Sequence, residues 1–140
     1  FILLRFILVR IWYRKIMNQI LLSKLKHTWL IDIDGTIFKH NGHKNSTDSI
    51  LDGVQKFWGK IPKNDVIILM SARKKFEQKS TLEFLEHYKL RYDKIIFELP
   101  VGERILINDR KPRGLKTALA VNVNRDEGLR NTKIIFDEDL

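Results

Sequence analysis

Apolar residues fall along this chain in two patterns: short uniform runs, and longer stretches where they recur every three or four positions. Thr28–Ile33 is a short apolar run ending among acids, which predicts a strand. Asn41–Asp48 is polar and contains Gly, hence a loop. Thr47 or Asp48 caps a predicted helix to about Gly59, with Ile50, Leu51, Val54, Phe57 and Trp58 on one face. Asp65–Met70, "DVIILM", is too short and too evenly apolar for a half-exposed strand and predicts a buried one. A helix follows from about Lys75 to Tyr88, with Phe76, Leu82, Leu85 and Tyr88 inward. Lys94–Phe97 and Arg104–Asn108 read as the third and fourth strands, Leu115–Leu119 as a helical turn or short helix, and Ala120–Val123 as a fifth strand. The tail "KIIFDEDL" fits either an edge strand or an irregular end.

Strands alternating with helices argue for an α/β fold, a parallel sheet with helices on both faces. One connection strains that expectation. Glu98–Glu103 is shorter than a helical crossover needs, so the chain crosses there in an extended path or one strand is misassigned.

Length and composition fit one soluble-type globular domain: 140 residues, 44% hydrophobic and 31% charged. The absence of cysteine excludes disulfides, a thiol nucleophile and Cys-ligated zinc, and suits a reducing cytoplasm. The net charge is +9, but residues 1–16 hold four basic residues and no acid, leaving +5 for residues 17–140. That balance is compatible with nucleic acid and equally with binding a small phosphorylated anion. Nucleic acid is less favoured, because no Lys/Arg run interleaved with aromatics occurs in the body of the chain. Residues 1–16, "FILLRFILVRIWYRKI", are hydrophobic and basic. Arg5, Arg10 and Arg14 interrupt them, so no span of about 18 apolar residues exists and no firm membrane association is expected. The segment reads as the end of an anchor, an interfacial helix, or sequence upstream of a domain that begins near Met17; the last is preferred. Residues 17–140 are read as a single domain.

In parallel sheets, ligands bind at the carboxyl ends of the strands. The first strand ends in Asp32 and Asp34, the second in Ser71 followed by Arg73, and the fourth in Asn108-Asp109 followed by Arg110 and Lys111. Two or three carboxylates without Cys or His suggest a hard cation such as Mg²⁺. His27, His40, His43 and His87 read as exposed or loop residues with no zinc-site spacing.

"DIDGT", the apolar strand ending in Ser71, and "ILIND" resemble, in order, three motifs of the haloacid dehalogenase superfamily of phosphohydrolases. The resemblance runs from about Trp29 to Val123 and implies a Rossmann-like core. It implies Asp32 as the nucleophile that becomes an aspartyl phosphate, and Asp34 as the acid and base for leaving group and water. Gly35 and Thr36 would shape the loop around the phosphate, and Ser71 would hydrogen-bond it. Mg²⁺ would sit between Asp32, the Asp34 carbonyl and Asp109. The sequence departs from the family at Asn108, where many members have Asp, and at Glu98-Leu99-Pro100, where small members carry a phosphate-neutralising Lys. Lys111 is the first substitute for that Lys, Arg73 the second and Lys94 the third. No room exists for a cap domain, so the resemblance implies an open site suited to large substrates or to a homo-oligomer closing it in trans. The phrase "INDRKPRGLKTALAVNVNRDEGL" looks like small phosphatase-like proteins of sugar-phosphate and surface-polysaccharide pathways. The expected activity is therefore a capless, Mg²⁺-dependent phosphomonoester hydrolase acting on a sugar phosphate. A polynucleotide or nucleotide phosphatase, a turnover-deficient binding module and a DxD nucleotide-sugar transferase are the rivals.

Overall fold

The computed structural model describes residues 17–40 and 49–140; residues 1–16, and the loop and helix cap expected at 41–48, lie outside the described residues. The chain is α/β. Its elements are β1 (Asn18–Leu22), β2 (Thr28–Asp32), α1 (Val54–Lys60), β3 (Val66–Met70), a 3₁₀ turn (Lys75–Glu77) leading into α2 (Gln78–His87), β4 (Lys94–Ile96) and β5 (Thr132–Phe136). Two parallel sheets form, one of order β2-β3-β4 and one pairing β1 with β5. Among the described residues, no helix is long and apolar enough to cross a membrane.

Registry fixes which side chains share a face. Leu30 lies beside Ile68, and Asp32 beside Met70 and then Ile96. The alternate positions Ile31, Ile67 and Leu69 point the other way and are buried, joined in one core by Val54, Phe57 and Trp58 of α1 and Leu85 of α2. Trp29 meets Phe57 edge-on at 5.8 Å between ring centroids, and Phe38 packs against Phe84 and Tyr88. Leu30, Val66 and Ile96 on the opposite face remain exposed. Among the described residues, helices thus cover one face of this sheet, where the sequence pattern predicts both.

Helix α1 starts later than predicted because residues 49–51 are otherwise engaged. Lys39 N–H donates to Ser49 O, Leu51 N–H to Ile37 O, and Phe38 bridges Ile50. Gly53 then turns the chain with φ +75°, and a Cβ there would lie 2.6 Å from the Arg130 backbone. In α2, Leu85 is buried as expected, but Phe76 falls in the 3₁₀ turn and faces solvent.

The largest departure follows β4. Arg104–Asn108 forms no strand, and Ile105 and Ile107 are 84% and 90% exposed. Neither Leu115–Leu119 nor Ala120–Val123 becomes regular structure. The cause lies in the short connection. Glu98 takes φ +59°, its N–H donates to Arg73 O, and Leu99 N–H donates to Ser71 O, so the chain folds back over the end of β3. The Arg104 guanidinium then binds the carbonyls of Pro100 and Gly102, closing a tight loop that leads away from the sheet. The tail resolves as a strand, β5, and its partner β1 was not anticipated.

Candidate functional site

The last residue of β2, Asp32, opens a tight turn. Ile37 and Phe38 N–H both donate to Ile33 O, and Gly35 N–H donates to Phe38 O. Gly35 has φ +83°, a left-handed conformation that side chains rarely adopt, and its carbonyl accepts from Asp126 N–H. Ile33, Ile37 and Phe38 are wholly buried and anchor the turn from below. The apolar residues of "DIDGTIF" therefore hold the loop, while its acids line the strand end.

The two acids have different surroundings. The Asp34 carboxylate receives a two-pronged contact from Arg73, Nε to Oδ2 at 3.0 Å and Nη2 to Oδ1 at 2.8 Å. Arg73 has a side chain only 1% exposed, donates Nη1–H to Thr81 Oγ1 at 2.9 Å, and lies 5.8 Å from the centre of the Phe38 ring. The Asp32 side chain is 42% exposed, with Thr36 Oγ1 at 3.4 Å and an Arg104 guanidinium nitrogen at 3.9 Å. That last separation is a charge contact rather than a hydrogen bond. Burial lifts the Asp32 carboxyl above its ordinary value, and the neighbouring Asp34 charge adds to this. Arg104, the Ile33 N–H and Thr36 pull it down without cancelling the rise.

Ser71 follows β3 and is almost wholly buried. Its Oγ accepts the Arg73 N–H at 3.0 Å, and its backbone ties to Ile96 O and Leu99 N–H. Lys111 begins an exposed turn in which Gly114 N–H donates to its carbonyl. Asp109 is exposed; its carbonyl accepts the Thr117 hydroxyl, and its N–H meets Asn108 Oδ1 at 3.2 Å. The structure thus brings together Asp32, Asp34, Gly35, Thr36, Ser71 and Arg73, and leaves Asp109 and Lys111 on the segment that departs after β4. The cation it places by Asp32 is Arg104, a residue the motif comparison passed over. Its signal was present, since a basic residue stands immediately before the apolar run "ILIN".

The motifs imply a Mg²⁺ centre of two carboxylates and the Asp34 main-chain carbonyl. Of these ligands Asp32 keeps a half-exposed carboxylate at the strand end and Asp109 lies on the exposed segment after β4, and among the described residues no three acidic or His side chains gather around one point. Chemically, the strand end offers one half-exposed carboxylate with a cation near it, and a second carboxylate held rigidly alongside. No family model, curated protein or solved structure matches this chain.

Proposed function

We propose that the chain is a phosphomonoester hydrolase of haloacid dehalogenase type, built on a Rossmann-like β2-α1-β3-α2-β4 core and working through an aspartyl phosphate on Asp32. The observation that carries this reading is the setting of Asp32: it ends a parallel strand, is partly open to solvent, and has Arg104 at 3.9 Å. An Asp32 oxygen attacks phosphorus as the bond to the leaving oxygen breaks, and that oxygen takes a proton held by Asp34. Water then attacks the acyl phosphate, Asp34 accepts its proton, and the Asp32 carboxylate and inorganic phosphate are released. Arg104 supplies positive charge where the phosphate dianion meets a carboxylate. A sugar phosphate or related small metabolite in a reducing cytoplasm is the preferred substrate, in keeping with the absence of cysteine.

The test is hydrolysis of 4-nitrophenyl phosphate and a panel of sugar phosphates, with Mg²⁺ titrated from zero, by the wild-type protein and Asp32→Asn. Turnover abolished by the substitution is expected. No turnover at any Mg²⁺ concentration refutes the hydrolase. One observation favours a second reading, a phosphate-binding module without turnover: Asp109 lies on an exposed segment that forms no strand. Phosphate binding by calorimetry without hydrolysis would select it.

A further inference from the structure

Arg73 stands two residues after Ser71 at the strand end, where its charge suggests a phosphate ligand. Its geometry says otherwise. An arginine fork gives a carboxylate two parallel N–H bonds, fixing both its position and its plane. Here that fork is closed on Asp34, at 3.0 and 2.8 Å. The guanidinium is itself fixed from two further directions, and the backbone beneath it is tied as well. Thr81 Oγ1 accepts from Nη1 while its own proton goes to Glu77 O, the Phe38 ring lies beside the guanidinium, and the Ser71 hydroxyl accepts the Arg73 main-chain N–H. Thr81 and Phe38 are both wholly buried, so neither can move far. The Arg73 side chain is 1% exposed, against 33% for Arg104. A dianion arriving from solvent therefore meets Arg104 first.

We infer that Arg73 is a positioning residue for Asp34 and not a phosphate ligand: through the Thr81–Phe38 seat it sets the carboxylate at the distance and angle from which Asp34 passes a proton to the leaving group. This rests on the hydrolase reading and names what governs its leaving-group range. A nitrophenolate departs without a proton, whereas an alkoxide must receive one as its bond to phosphorus breaks. Misplacing the proton donor therefore harms poor leaving groups and spares good ones.

The experiment compares wild type with Arg73→Lys, which keeps the charge but lacks the fork, and Thr81→Val, which keeps the fork but removes its anchor. Substrates are aryl phosphates from 4-nitrophenyl to phenyl, together with glycerol 2-phosphate. For Arg73→Lys, kcat/KM on glycerol 2-phosphate, which reports the step that expels the leaving group, should fall about 10²-fold, and kcat/KM on 4-nitrophenyl phosphate by no more than a few-fold. kcat also contains the Asp34-assisted hydrolysis of the acyl phosphate and falls on every substrate, while the inhibition constant of inorganic phosphate should not change. Plots of log kcat/KM against leaving-group acidity should steepen, and Thr81→Val should shift them the same way by less. Should Arg73→Lys fail to fold by circular dichroism, Thr81→Val carries the comparison. Equal losses in kcat/KM on all substrates, no loss on any, or a weakened inhibition by phosphate overturns the inference while leaving the hydrolase intact. A wild-type protein that turns over none of these substrates removes the hydrolase reading and this inference with it.

Discussion

At the end of the strands opposite Asp32, the Asp65 side chain is only 2% exposed and accepts three hydrogen bonds. They come from His27 N–H at 3.0 Å to Oδ1, and from His27 Nδ1 at 2.8 Å and Trp29 Nε1 at 2.9 Å to Oδ2. The other His27 ring nitrogen lies 3.0 Å from Ser23 O, and Arg91 donates to Asp65 O. Burial alone would push the Asp65 carboxyl up; the Trp29 and His27 donors together outweigh it and hold the group below its ordinary value. These contacts tie the start of β3 to the start of β2. They help fix the registry that places Asp32 beside Met70 at the far end. A one-residue slip would turn Asp32 to the buried face.

Asp65→Ala leaves three donors without their acceptor, in a setting that water enters poorly. Breaking a buried charged network from one side costs about 3–5 kcal/mol, against a total stability of about 5–15 kcal/mol. Asp65→Asn should recover little. Its carbonyl oxygen can keep the His27 N–H, but its amide then faces two donors. Trp29→Phe removes a single donor and should cost about 1 kcal/mol. Urea unfolding followed by circular dichroism, read as a double-mutant cycle, measures each cost and the Trp29–Asp65 coupling. Because the folded carboxyl is the more acidic, its contribution is complete above the unfolded value of about 3.9 and fades as pH falls through the lower folded value. Wild type and Asp65→Ala should thus converge in acid. An Asp65→Ala cost below about 1 kcal/mol, or one that grows in acid, would refute the reasoning.

Asp32 has the opposite sign. Its raised carboxyl makes the folded state hold a proton the unfolded chain has released, so stability falls as pH rises from the unfolded value through the folded one. Asp32→Asn should melt higher than wild type at neutral pH, with the gap closing in acid. Arg104→Ala removes the charge that pulls Asp32 down, so the acidic limb of the kcat/KM profile should move to higher pH. Gly35→Ala meets φ +83° and a Cβ contact of 3.1 Å to Arg125 Cγ; the side chain can yield but the backbone cannot, so denaturation should show a loss of about 1–2 kcal/mol. Ile107→Asp falls on a 90% exposed position and should change stability by less than about 0.5 kcal/mol; a loss of several kcal/mol would show that Arg104–Asn108 is a buried strand after all.

What could be read from the sequence divides by the range of the interaction. β2, β3 and β4 were legible because each apolar run packs on helices that neighbour it in the chain, and the Gly35 turn because its conformation is local. β1 was not. Among the described residues it pairs with β5 alone, more than a hundred residues away, and "NQILL" has no pattern that anticipates the pairing. "RILIN" misled for the converse reason: it has strand composition, but the loop before it is closed by Arg104 on Pro100 and Gly102, and composition does not encode where a loop points. His27 reads as an exposed or loop residue and does lie in the loop before β2; the bond of its ring to Asp65, 38 residues on, is what no local pattern shows.

The same distinction resolves how two acids one residue apart are tolerated. The motif suggests one metal shared by both; the structure gives each acid its own arginine. Asp34 has Arg73, buried and forked, so their attraction acts in a poorly screened setting with geometry that repays desolvation. Asp32 has Arg104, a third exposed and at 3.9 Å, where solvent screens the attraction and no hydrogen bond restrains the oxygen. The two carboxylates are therefore unequal before any substrate arrives. One is held in place and the other retains an exposed oxygen, an asymmetry in keeping with the proposed roles of Asp34 as a fixed proton carrier and Asp32 as a nucleophile. Exchanging the two arginines' settings, and not merely deleting their charges, would be needed to reverse that asymmetry.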